Sequence, residues 1–141
     1  MKLGLVSSYP PRLCGIAAFA ENFVQSICDR LQAEEHEIFT ITAVDQHDII
    51  HPYPRCVAET IRQEELGDYL KAAKTLNAAK PAATILQHEF GLYGGQSGNY
   101  ILSLVHQLDH PLVVILHTVL DHPSYHEKII IVEVVILNGQ R

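Results

Sequence analysis

Residues 2–15, Lys2-Leu3-Gly4-Leu5-Val6-Ser7-Ser8-Tyr9-Pro10-Pro11-Arg12-Leu13-Cys14-Gly15, decide the fold class. Lys2–Ser7 is a small apolar run that closes on two serines, the pattern of a short buried strand. Two prolines then fix φ and exclude helix, so Tyr9–Arg12 is a stiff loop. Gly15 opens a helical pattern, in which Ile16, Phe19, Phe23, Ile27 and Leu31 recur at three- and four-residue spacing and mark one apolar face. A strand that passes through a tight loop into a helix is the first half of a βαβ unit.

The rest of the chain continues the alternation. Glu37–Val44 alternates and is rich in Ile and Thr, so it reads as a second strand. Asp45–Arg55 is loop-like, and Val57–Ile61 reads as either a short strand or an extended linker. Gln63–Lys80 has helix-forming composition, weakened at its start by Gly67 and stopped by Pro81. Ala83–Gln87 is a short buried strand, and His88–Gly98 is a glycine-rich loop. Asn99–Leu108 is a helix with Tyr100, Leu104 and Leu108 on one face. Leu112–Leu116 is a continuous Val/Ile/Leu strand, as found where a parallel strand is covered on both faces. The β-branched run Ile129–Leu137 reads as a last strand, as a helix of poor propensity, or as the mark of a truncated or altered reading frame. The expectation is an α/β, Rossmann-like three-layer sandwich with a parallel sheet of four or more strands.

Ligands of such sheets sit at the carboxyl ends of the strands. The loops there are Ser8–Gly15, His88–Gly98 and His117–Ser124. Gly15 lets the backbone approach a ligand, and the helix it opens offers free N–H groups and a positive dipole end. Arg12 can add a bidentate phosphate or carboxylate contact; read blandly, the segment is a plain turn with a solvated arginine. His88 and Glu89 project at the carboxyl edge, where a carboxylate can accept from ligand hydroxyls. Tyr93 or Phe90 can stack on a ligand face, and Gly94 and Gly95 permit a tight turn. The competing reading puts Phe90 and Tyr93 in the core, with Glu89 capping the next helix. His117 breaks an apolar strand at its carboxyl end and is followed by Thr118. A polar ring there can donate to a ligand hydroxyl, or simply bond a neighbouring carbonyl.

Composition narrows the partners. The 141 residues are one ordinary domain, 48% hydrophobic, with 10 Lys and Arg against 16 Asp and Glu for a net charge of -6. That acidity argues against nucleic acid and anionic lipid. No apolar run reaches the roughly 18 residues of a spanning helix. Neither a signal peptide nor a disulfide frame is legible from the N-terminus or from Cys14, Cys28 and Cys56, so a cytoplasmic location is expected. Nine histidines include the pairs His47/His51, His106/His110 and His122/His126 at i, i+4 spacing. None has the HExxH order, and no metal site is expected. The absence of GxGxxG after the first strand argues against a dinucleotide oxidoreductase.

Three segments, Tyr9-Pro10-Pro11-Arg12-Leu13-Cys14-Gly15-Ile16-Ala17-Ala18-Phe19, Gln87-His88-Glu89-Phe90-Gly91-Leu92-Tyr93-Gly94-Gly95 and Leu116-His117-Thr118-Val119-Leu120, together resemble the N-terminal domain of retaining GT-B glycosyltransferases. That group includes sucrose-phosphate synthases and mannosyltransferases. The resemblance covers about residues 1–125. It implies one half of a two-domain architecture, with the acceptor bound on this side. It also implies that the nucleotide-sugar donor is bound by a C-terminal domain that residues 1–141 do not contain. The first loop would reach the donor phosphates or the acceptor, the second would border the acceptor site, and His117 would contact the transferring sugar as the catalytic residue. Arg12, Gly15, His88, Glu89, Tyr93, Gly94, Gly95 and Thr118 would be substrate-binding. No cofactor is implied, and an exposed cleft face leaves homo-oligomer formation open. The alternative is a stand-alone Rossmann-like module that binds a sugar or nucleotide without chemistry; a His-rich metal-binding protein is a third reading.

Overall fold

The structure, a computed structural model, describes residues 1–46, 49 and 51–137. Strands β1 (Leu3–Ser7), β2 (Phe39–Asp45), β3 (Val57–Arg62), β4 (Ala83–His88) and β5 (Leu112–Leu116) form one sheet in the order β3-β2-β1-β4-β5. Every neighbouring pair is parallel. Helices α1 (Gly15–Leu31), α2 (Glu35–Ile38), α3 (Leu66–Ala79), α4 (Ile101–Val105) and α5 (Tyr125–Ile131), with a 3-10 turn over Gln96–Gly98, complete the described elements, and a π-helical turn over Val132–Leu137 continues α5. The fold is the expected α/β class with a Rossmann-like three-layer arrangement. Among the described residues no helix is long and apolar enough to cross a membrane.

The pleat divides the core in two. Leu5, Ile41, Ala43 and Ile85 face α1 and α2, whereas Val6, Val44, Ile61 and Leu86 face α3, α4 and α5. The segment left open between strand and linker is β3. It is an edge strand whose burial alternates, with Ile61 its fully buried residue. The second strand starts two residues later than expected. Glu37 and Ile38 close the one-turn helix α2, where the Glu34 amide donates to Glu37 Oε2 at 2.7 Å. Helix α3 ends as Pro81 requires, with Lys80 in the left-handed region at φ 49°.

Two expectations about apolar faces need correction. The face of α1 that packs on the sheet is Ala17, Ala20, Val24 and Cys28, one position on from the stripe of larger side chains. Phe23 and Ile27 are half-buried at its margin, while Phe19 and Leu31 are 45% and 46% exposed. Small residues let the helix approach the central strands closely, and the bulkier stripe is turned by about 100° toward the rim. Strand β5 is likewise not covered on both faces. It is an edge strand whose Val113 is 50% exposed and whose other residues are half-buried.

Ile129–Leu137, which the pattern left undecided, is helical. Packing overrides its β-branched composition: Ile130 and Val134, four apart, are buried against the α3–α4 side of the core. Glu133 Oε2 pairs with His106 Nε2 at 2.7 Å. The helix expected over Asn99–Leu108 is shorter, with Ile101, Leu104 and Val105 buried. His47 of the His47/His51 pair and the tail Asn138-Gly139-Gln140-Arg141 lie outside the described residues.

Candidate functional site

The strand order reverses between β1 and β4: the chain winds outward from β1 to β2 and β3, then crosses back to β4 and β5. At such a switch point the loops leaving neighbouring strands diverge and open a crevice at the carboxyl edge. A cleft of about 520 Å³ lies there, lined by Arg12, Gly15 and Phe19 from the first loop and helix, by Glu89 and Leu92 after β4, and by His117 after β5.

On the β1 side, the Arg12 amide donates to the Tyr9 carbonyl at 3.1 Å, and Arg12 Nη1 donates to the Val44 carbonyl at 2.7 Å. The guanidinium is thereby tethered to the end of β2. Cys14 caps α1, its Sγ accepting from the Ala17 amide at 3.4 Å with Ser8 Oγ 3.1 Å away. Gly15 follows, and a Cβ placed there would meet nothing within 4 Å. The open space beside this glycine is part of the cleft, so no packing reason excludes a side chain.

On the β4–β5 side, a polar floor is built from residues that end two adjacent strands. His117 is held at its backbone by donation to the His88 carbonyl at 2.9 Å, and its ring Nε2 meets Gln87 Oε1 at 2.5 Å. An amide oxygen only accepts, so Nε2 carries the proton and Nδ1 is the ring's free nitrogen, an acceptor when the ring is neutral. The ring is therefore placed to accept from a ligand hydroxyl through Nδ1, where the sequence reading expected it to donate. Phe19 fixes the ring's other face, edge-on at a centroid distance of 5.1 Å. Thr118 Oγ1 donates to Glu89 Oε2, and the Phe90 amide donates to Glu89 Oε1 at 2.9 Å.

The remaining expected site residues lie elsewhere. His88 is fully buried behind the floor, with Phe90 edge-on at 4.9 Å. Tyr93 belongs to the core, its hydroxyl donating to the Gln87 carbonyl at 2.5 Å. The Gly94 amide donates to Tyr69 Oη at 2.9 Å and the Gly95 amide to Glu64 Oε2 at 3.3 Å, so both glycines turn the loop onto α3. Sequence reasoning did not mark Gln87 or Phe19 as site residues. The available signal for Gln87 was an amide closing the otherwise apolar run of β4. Among the described residues, no group of three or more His, Cys, Asp or Glu is placed to hold a metal ion.

Neither nitrogen of His88 has a hydrogen-bond partner, nor does Gln87 Nε2. Burial, the largest influence, pushes the His88 imidazole below its ordinary range, reinforced by His117 and opposed by Glu89. The unfolded chain titrates this ring at about 6.5, whereas the folded chain keeps it neutral to lower pH. The unfolded state takes up the proton first, so acidification below about pH 6.5 destabilises the fold. Urea midpoints measured from pH 8 to pH 5 should fall in the wild type and fall less in His88→Leu. Parallel curves for the two proteins would rule out His88 as the cause.

A scan of protein-family models and searches of curated proteins and of solved structures return no match to this chain.

Proposed function

We propose that this chain is the acceptor-side, N-terminal half of a retaining GT-B glycosyltransferase, acting together with a domain that binds the nucleotide-sugar. The observation that carries the reading is the convergence of Arg12, Gly15, Glu89 and His117, from three separate loops, on one cleft at the switch point of a parallel sheet. Each of these residues lies in one of the three segments that resemble the family.

The chemistry follows from the side chains present. Glu89, held by Thr118 and the Phe90 amide, offers carboxylate oxygens to sugar hydroxyls. His117, oriented by Gln87, offers Nδ1 to another hydroxyl. Phe19 supplies an apolar wall against which a sugar face can rest. Gly15 and the first turn of α1 present backbone amides where the open space is.

Departure of a nucleoside diphosphate needs concentrated positive charge at the leaving oxygens. Arg12 is the sole cation lining the cleft among the described residues, and one of its nitrogens is already bonded to Val44. The chain alone is therefore expected to turn over a panel of UDP-, GDP- and ADP-sugars at no more than the background rate. Sugar acceptors should nonetheless shift the His117 ring signals in NMR spectra of the same sample. Robust turnover would remove the need for a second domain. His117 signals indifferent to every nucleotide-sugar and sugar tested would defeat the reading altogether.

A further inference from the structure

A second pocket, of about 320 Å³, lies across the first loop from the cleft and shares Arg12 and Cys14 with it. Its other walls include Gln46 and His51, from the connection that follows β2. The polar groups of that connection are organised around Asp45, the last residue of β2, which is 4% exposed. A carboxylate so buried must be satisfied by hydrogen bonds or opposite charge. Two donors reach its Oδ1: the Tyr53 hydroxyl at 2.7 Å and His51 Nδ1, also at 2.7 Å. Burial and the bond to Asp45 hold the Tyr53 phenol well above its ordinary range, so it stays a neutral donor.

This arrangement fixes the imidazole. Because Nδ1 carries the proton shared with Asp45, Nε2 is on the opposite edge of the ring, away from the carboxylate, in a side chain that lines the pocket. Arg12 forms another wall, its Nη1 anchored on the Val44 carbonyl and its remaining N–H groups without a protein acceptor among the described residues. No carboxylate is among the described residues that line the pocket. A rigid cation and a tethered imidazole thus share one small polar space.

We infer that the Arg12–His51 pocket binds a phosphate monoester group, with Asp45 and Tyr53 as the residues that position His51. Phosphate fits both protonation states of the ring. As a monoanion it accepts from Arg12 through P–O⁻ and donates its P–OH to Nε2; as a dianion it accepts from both Arg12 and the imidazolium. A carboxylate, which only accepts, meets a neutral Nε2 unfavourably. The pocket does not depend on the sugar-transfer reading, because its ligand is held at the end of β2 and not on the floor formed by Gln87 and His117.

The test is a titration of the 141-residue chain with inorganic phosphate at constant ionic strength, followed by NMR of the histidine rings and of Arg12 Nε. Saturable shifts are expected at His51 and Arg12, with the His117 ring unmoved. Acetate should bind roughly tenfold more weakly or worse, and sodium chloride should reproduce none of the shifts. His51→Asn, whose amide nitrogen takes the place of Nδ1 and keeps a donor for Asp45 while removing Nε2, and Arg12→Gln should each weaken binding by about tenfold or more, the usual cost of a lost charge-assisted bond. Arg55→Gln, a change outside the pocket, should bind as the wild type does. The inference is overturned if no saturable shift occurs at His51. It is equally overturned if phosphate moves His117 instead, or if folded Arg12→Gln binds undiminished. A loss in Arg55→Gln as large as in Arg12→Gln would reduce the effect to net charge. The wild-type shifts decide the location even if a variant fails to fold, so sugar binding can fail while this pocket stands, and the reverse.

Discussion

Gly94→Ala should cost about 3 kcal/mol of stability or more, among the larger effects available to a single methyl group. A Cβ at this position would lie 2.0 Å from the Gln63 carbonyl oxygen and 2.8 Å from its carbon. Both atoms are backbone, so no flexible side chain can swing aside. The two segments are also cross-tied through a fully buried tyrosine: Tyr69 Oη accepts from the Gly94 amide at 2.9 Å and donates to the Gln63 carbonyl at 2.8 Å. Separating the backbones by the needed ångström breaks one or both bonds inside the core. Gly15→Ala is the control, because its Cβ meets nothing and alanine suits a first helical position. Chemical denaturation of both variants should show a large loss for position 94 and a change within about 0.5 kcal/mol for position 15. A Gly94→Ala protein within about 1 kcal/mol of wild type would mean that the loop can retreat from Gln63 without consequence.

These two glycines show where sequence reasoning stops. One opens the helix after β1 and the other lies in the loop after β4, and both look like residues that admit a ligand. Only the fold reveals that one faces open space and the other a carbonyl. Strands were easier to place, because β1 and β5 are short apolar runs bounded by polar residues or a proline and β4 is a short, mainly apolar segment just after Pro81, a signal that needs no partner to be read. The alternation of strands and helices implies a parallel sheet whose loops after strands share one edge, which is why Arg12, Gly15, His88, Glu89, Gly94 and His117 could be grouped in advance; His88 and Gly94 do not line the cleft. The helix face was harder. In α1 the pairs Ile16/Ala17, Phe19/Ala20, Phe23/Val24 and Ile27/Cys28 are apolar in both members, so two stripes one residue apart are compatible with the same pattern. What decides between them is how closely the helix approaches β1 and β2, a property of the pair and not of the helix. The Asp45–His51–Tyr53 group was illegible for a similar reason: its members are joined by loop geometry, which has no period. Gln87 shows the same limit, since its importance lies in the neighbour it reaches on β5.

If the chain is the acceptor-side half proposed above, His117→Ala in the two-domain enzyme is expected to lower the turnover number by about 10²-fold while leaving the fold intact. The expectation rests on how completely the ring is oriented. Its amide is bonded to the His88 carbonyl, Nε2 is taken by Gln87, and Phe19 bounds one face, which leaves Nδ1 as the free nitrogen of a side chain that lines the cleft. On that proposal, an acceptor atom fixed in that way would stabilise a hydroxyl whose polarity grows as the sugar departs, and would need no reorganisation at that moment. The fold should survive because His117 is half-exposed at the end of an edge strand, so truncation opens no cavity in the core. Gln87→Leu is the companion variant. It leaves His117 in place but removes the acceptor that fixes the ring's tautomer, so it should lower turnover by a smaller factor and alter its pH profile, which simple loss of packing would not. Steady-state kinetics on both variants, with unfolding curves to confirm their integrity, distinguish a ligand-contacting histidine from a structural one. Wild-type turnover in a well-folded His117→Ala protein would strip this residue of the proposed role and leave the cleft to Arg12 and Glu89.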